Sequence, residues 1–181
     1  MIYVALLRGI NVGGNNKINM KELKITFEQA GMGSVVTYIQ SGNIIFADSA
    51  HSSAELAALL EQAIEDDFGL RIRMLLRSLP EMQAIVSALP EHWSNDEAMK
   101  SDCLFLWEEA DNPDVLKQLP LKPGIGTVMY VPGAVLASFS REEAARSGMN
   151  KLIGSKVYQH MTVRNVNTTR RIYELMTAAE E

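Results

Sequence analysis

Ile2 to Leu7 (IYVALL) is a continuous apolar run rich in strand formers, and it ends abruptly at Arg8. A short run of that kind suits a strand buried on both faces. The segment after Arg8 is equally restrictive. Gly9, Gly13 and Gly14, with Asn11, Asn15 and Asn16, supply residues that tolerate positive φ. Asn19 is a good helix N-cap, with Glu22 three residues on as its capping-box partner, and Gly31 or Gly33 stops the helix. The connector between strand and helix is then about nine residues, longer than the roughly 2–6 usual for a βα loop. Polar, glycine-rich connectors ahead of a helix N-terminus can offer backbone N–H groups to an anion. Arg8 and Lys17 flank this one with positive charge. The alternative is a wide turn whose Asn side chains satisfy only their own backbone.

The later elements come in a fixed order. Val35–Ile39 and Ile44–Ala47 read as strands joined by the turn Gln40-Ser41-Gly42-Asn43. A helix capped by Ser53 runs to Phe68 and ends at Gly69, with Leu56, Leu59, Leu60, Ala63 and Ile64 at helical spacing. Leu70–Arg77 alternates apolar residues with Arg71, Arg73 and Arg77, as a half-buried strand does. This is βαββαβ, the ferredoxin-like order. A helix from Ser78-Leu79-Pro80 to about Leu89 and a polar linker over 90–100 come next. The order then recurs: strand Asp102–Trp107, helix Asn112–Leu119, strand Thr127–Val131, turn Pro132-Gly133, strand Val135–Phe139, helix Arg141–Ile153, strand Lys156–Val163. A last helix covers about Asn167–Ala179. The expected fold is therefore α/β (α+β): two ferredoxin-like halves in tandem, residues 1–77 and 101–181, joined by 78–100. No residue-level repeat accompanies the repeated order.

In a ferredoxin-like sheet of order 4-1-3-2, strands 1 and 2 point the same way. The loop after the first strand and the turn after the second then lie at one end. That places Arg8, Asn11, Gly13, Gly14, Asn16 and Lys17 beside Gln40, Ser41 and Asn43 as candidate ligand-binding residues. A second candidate segment, Arg164-Asn165-Val166-Asn167-Thr168, precedes the last helix, with Asn167 or Thr168 as its N-cap. Arg164 could join the helix dipole in holding an anion, or pair with an acidic residue of the other half.

The run LLRGINVGGNNKINMKEL, the segment TYIQSGNIIF and the later TVRNVNT together resemble the bacterial DUF1697 family, a domain of unknown function. The resemblance implies an α/β protein with ferredoxin-like elements and no established activity. Two positions depart from the family pattern. Val166 stands where the last motif usually has Trp, and Ser147-Gly148 stands where a Ser-Lys pair follows the penultimate strand.

With 181 residues, 47% of them hydrophobic, the chain is long enough for a proper core. It has no apolar run near the roughly 20 residues that span a bilayer, and no basic, cleavable leader; the expected location is the cytosol, with no membrane partner. Cys103 is the single cysteine, which excludes an intrachain disulfide and a multi-cysteine metal cage. His51, His92 and His160 are isolated, and no metal site is expected. The net charge of −5 argues against a general nucleic-acid binder. Charge is unevenly spread, however: residues 1–25 carry net +3, 48–114 net −11 and 141–171 net +5. The loop matches neither GxxxxGK[ST] nor GxGxxG, and no aromatic platform for base stacking is evident.

Three functions fit these residues. The first is binding of a small anionic or phosphorylated ligand at the loop after the first strand. The second is an RNA- or protein-interaction module using the basic N- and C-terminal segments. The third is an enzyme acting on a phosphorylated or acyl substrate, for which no catalytic set or cofactor motif is visible. Oligomeric state is not readable from the residues.

Overall fold

The structure, a computed structural model, describes residues 1–181. It divides into two compact units, Met1–Met82 with Ile172–Glu181, and Gln83–Arg171. No helix is long and apolar enough to cross a membrane.

The first unit runs β1 (Ile2–Leu7), α1 (Met20–Gln29), β2 (Gly33–Tyr38), β3 (Asn43–Ala47), α2 (Ser53–Phe68) and β4 (Met74–Ser78). The four strands form an antiparallel sheet of order β2-β3-β1-β4. This is the ferredoxin-like order. β1 is central, with Val4 between Ile45 and Arg77, and all six of its residues are buried, which is why its sequence is apolar without alternation. One face of the sheet carries Tyr3, Ala5, Leu7, Ile44 and Phe46 into a core closed by Leu23 and Phe27 of α1 and Leu56, Leu60 and Ile64 of α2. Phe46 stacks on Tyr3 at 5.6 Å and meets Phe27 edge-on at 5.7 Å. Truncating a buried aromatic such as Phe27 to Ala costs about 3–5 kcal/mol.

α1 is capped as expected: the Asn19 side chain accepts from the amides of Lys21 and Glu22. Two boundaries differ from expectation. α2 is capped by Ser52, not Ser53, in a full capping box with Glu55; two adjacent serines offer the same cap chemistry, and the box selects the one three residues before the glutamate. β4 begins at Met74 rather than Leu70, because β1 pairs with it only as far as Leu7 opposite Met74. At its first residue, the amide of Met74 donates to the Glu61 carboxylate.

α3 (Leu79–Ala88) opens on Ser78, whose hydroxyl and amide are matched by the amide and carboxylate of Glu81. The second unit then repeats the order with β5 (Met99–Leu106), α4 (Val115–Gln118), β6 (Thr127–Val131), β7 (Ala134–Ser140), α5 (Arg141–Ala144) and β8 (Met161–Asn165). Its antiparallel sheet, β6-β7-β5-β8, has the same ferredoxin-like arrangement. Leu104, Leu106, Val135 and Met161 pack with Val115, Leu119, Leu152 and Val157 in its core.

Here several sequence-based boundaries are corrected. β5 starts at Met99, inside the expected linker, because Met99 pairs with Ser140. α4 keeps four residues of an expected eight-residue helix. α5 stops at Ala144 instead of Ile153. The Ser147 hydroxyl turns back to the Ala144 carbonyl, and Gly148 then takes φ +95°, which no α-helix continues through. Residues 156–160 form a 3-10 turn, not strand, since β5 pairs with β8 only from Leu106 opposite Met161. The last helix, α6 (Val166–Glu180), is capped earlier than expected: the Asn165 side chain accepts from the amide of Thr168.

Candidate functional site

The segment between β1 and α1 is a small hairpin of its own. Val12 bridges Asn15 across Gly13 and Gly14, which take φ +59° and +76°, the pair of positive values a type I′ two-residue turn requires. Asn11 and Asn16 flank it, also at positive φ, and the Asn11 amide donates to the Asn16 carbonyl. The base of the hairpin is held by two asparagine side chains. Asn11 Nδ2 donates to the carbonyls of Ile18 (3.1 Å) and Gln40 (2.9 Å), while its Oδ1 accepts from the Ile18 amide at 2.9 Å. Asn16 Nδ2 closes the other side on the Gly9 carbonyl. Leu7 donates its amide to the Gly42 carbonyl, so strand end and turn are stitched by backbone as well.

The topological expectation therefore holds in geometry: the loop after β1 and the turn after β2 meet. Gly42 is required there. At φ +88°, a Cβ on it would lie 2.6 Å from Ile10 Cδ1 and 2.9 Å from Leu7 Cβ. Ile39, at the same turn, takes φ +50° although it is β-branched, a conformation worth roughly 1–3 kcal/mol of strain. Its side chain is exposed, as is that of Val12 on the hairpin.

The candidate residues divide by what their side chains are doing. Asn11 has both N–H groups committed to the scaffold. Asn43 is fully buried, with Nδ2 shared between the Tyr38 carbonyl and the Ser41 hydroxyl. These two residues build the site rather than face it. Exposed are Lys17, Gln40 and the hairpin tip, where the amides of Gly13 and Gly14 make no bond within the chain, while Arg8 at the end of β1 is half-buried. A wide cleft of about 530 Å³ opens beside the hairpin, lined by Asn11, Gly14, Lys17, Ile18, Asn19 and Glu22. Glu22 and the Asn19 cap already answer the positive end of α1. The expectation that the helix terminus itself seats an anion is thereby weakened. Positive charge comes instead from Arg8 and Lys17.

The second candidate segment lies in the other unit. Arg164 is buried, with Nη1 donating to the Thr162 hydroxyl at 2.8 Å and the Val163 carbonyl at 3.0 Å. Burial pulls its guanidinium down to about 10, which leaves it charged at neutral pH. Asn165 caps α6 and Thr168 is buried behind it. Asn167 instead grips the 90–99 segment, accepting from the Asn95 amide and donating to the Asn95 carbonyl. Arg170 binds the carbonyls of Trp93 and Pro90 nearby. The polar side chains around residue 167 thus hold a linker in place, a role that long-range hydrogen bonds decide and that spacing along the chain does not announce.

A Cβ at Gly148 would collide with the Pro120 carbonyl oxygen, so this backbone has no room for a lysine at that position. Val166 is fully buried as the first residue of α6. Cys103 is buried beside Thr169, and desolvation pushes its thiol up to about 12, well outside the range of a nucleophile at neutral pH. No group of three or more His, Cys, Asp or Glu side chains gathers as a metal site.

A solved structure of a conserved bacterial protein from Streptococcus pneumoniae shares this fold, with a TM-score of 0.82 and 33% sequence identity over 97% of this chain and 98% of that one. No curated protein matches the sequence. The family model for DUF1697, a protein of unknown function, matches residues 1–136, which include the hairpin and the turn but not the segment 162–168. With well over half of its length matched, the chain belongs to the DUF1697 family.

Proposed function

We propose that the protein is a cytosolic binding protein for a small anionic or phosphorylated ligand, taken up at the loop end of the first unit. The observation that carries this reading is the junction made by Asn11. It ties the base of the hairpin, at Asn11 and Ile18, to the Gln40 carbonyl of the 39–42 turn before any ligand arrives. Preorganisation of that kind removes ordering costs from binding. Arg8 and Lys17 supply charge, the Gly13 and Gly14 amides supply directed donors, and the Gln40–Ser41 edge supplies further polar contacts. Strain at Ile39 is consistent with a turn shaped for something other than stability.

The test is a thermal-shift panel of nucleotides, sugar phosphates and coenzyme A derivatives. A ligand at about 100 times its dissociation constant adds roughly 2.7 kcal/mol. That corresponds to several degrees for a chain of this length. The shift should vanish in Arg8→Ala and Lys17→Ala while both variants fold. A shift that survives both substitutions rules out this site. A second reading, a protein partner, is favoured by the exposed Val12 and Ile39 at the same end. It predicts an association insensitive to salt and abolished by Val12→Asp.

A further inference from the structure

α5 ends at Ala144, and residues that follow it line a cleft against β5 and β8. Lys100, Asp102, Leu104 and Leu106 alternate onto one face of β5. Leu104 and Leu106 are covered by the core of the second unit. Beyond them, where the helix ends at Ala144, lies a cleft of about 400 Å³. Its walls are largely apolar: Met149, Leu152, Ile153 and Val163. At the β5 side stands one ion pair, Lys100 Nζ to Asp102 Oδ2 at 2.9 Å. The Asp102 side chain is only 5% exposed, whereas that of Lys100 is 33% exposed. Ile153 on the rim is 73% exposed, the most open large apolar side chain in the protein.

We propose that this cleft binds a small monocarboxylate with an apolar body, independently of the loop-end site. An apolar pocket with a few convergent polar groups is the usual form of a small-molecule site. The charge pattern selects the head group. Asp102 is covered and holds Lys100 in place through their 2.9 Å contact. A lysine ammonium has three N–H donors, and the ion pair with Asp102 uses one. A molecule entering from solvent therefore meets a fixed cation, and a carboxylate is its complement. A ligand ammonium would have to displace Lys100 to reach a carboxylate that solvent barely touches. The walls then accept an aliphatic or aryl body, whose burial supplies the remaining affinity.

The experiment is titration of the ¹⁵N-labelled full chain with octanoate, octanol and octylammonium, followed by amide chemical shifts. Octanoate should produce saturable shifts concentrated at Lys100, Met149, Leu152, Ile153 and Val163, and bind at least about tenfold more tightly than the other two. Lys100→Met alone would strand a buried carboxylate, so the decisive variant is Lys100→Met with Asp102→Leu. Removing both partners of a buried pair in favour of apolar residues is tolerated by folds. In that variant octanoate should lose its advantage over octanol. The proposal is overturned by octylammonium binding as tightly as octanoate, by the preference surviving in the double variant, or by no saturable shift at these residues.

Discussion

Replacing Asn11 tests the junction on which the loop-end site depends. Asn11→Ala removes three hydrogen bonds, two to the Ile18 backbone and one to the Gln40 carbonyl. At about 1 kcal/mol net for each, discounted for the more exposed bond to Gln40, their loss costs roughly 2–3 kcal/mol. Asn11 also sits at φ +54°, where alanine pays about 1–2 kcal/mol and glycine does not. Asn11→Ala should therefore cost roughly 3–5 kcal/mol and Asn11→Gly about 1–2 kcal/mol less, the reverse of their usual order in regular structure. Urea unfolding of the three proteins gives the ordering. Hydrogen exchange at the Ile18 amide, whose acceptor is Asn11 Oδ1, gives the location. A fully stable Asn11→Ala, an Asn11→Gly less stable than the alanine variant, or an Ile18 amide that stays protected in both would each refute the reasoning.

Ile39→Gly should raise stability by about 1 kcal/mol by relieving a β-branched residue at positive φ, seen as a higher melting temperature, and should weaken whatever binds at this end. Cys103, buried with its thiol at about 12, should not react with a disulfide reagent at pH 8 in the folded protein; its labelling rate should track unfolding as urea is added. Asp96 lies below the ordinary aspartate value because the Ser94 hydroxyl and the amides of Met99 and Ala98 donate to its charged form, with Arg141 adding attraction. A depressed carboxylate stabilises fully above its unfolded value of about 3.9, and that stabilisation drains as pH falls through the lower folded value. The melting-temperature gap between wild type and Asp96→Asn should accordingly be constant near neutrality and close as pH falls below about 4.

Much of the first unit is legible in the residues because each signal there is local and unopposed. The apolar run of β1, the Asn19 cap and the Gly69 stop each act within a turn or a strand, and the antiparallel order comes from their sequence. The meeting of the 8–19 hairpin with the 39–42 turn is a consequence of that topology. The inner hairpin at Val12–Asn15 is not, because the glycines and asparagines that form it read equally well as an irregular loop. In the second unit the 141–153 stretch has helical composition, but the helix ends at Ala144, where the Ser147 hydroxyl takes the Ala144 carbonyl and Gly148 turns to φ +95°. The cleft beside Lys100 is lined by residues on both sides of that stop, which nothing in the local pattern announces. Asn167 and Arg170 likewise act on residues more than seventy positions away, beyond the reach of any spacing rule.

The most direct test of the binding account is an amide chemical-shift titration with the strongest ligand from the phosphorylated panel. The account predicts that Gly13, Gly14, Lys17, Gln40 and Ser41 shift together along one saturation curve, and that Lys17→Ala abolishes the effect. Saturable shifts elsewhere with these five amides unmoved would contradict it.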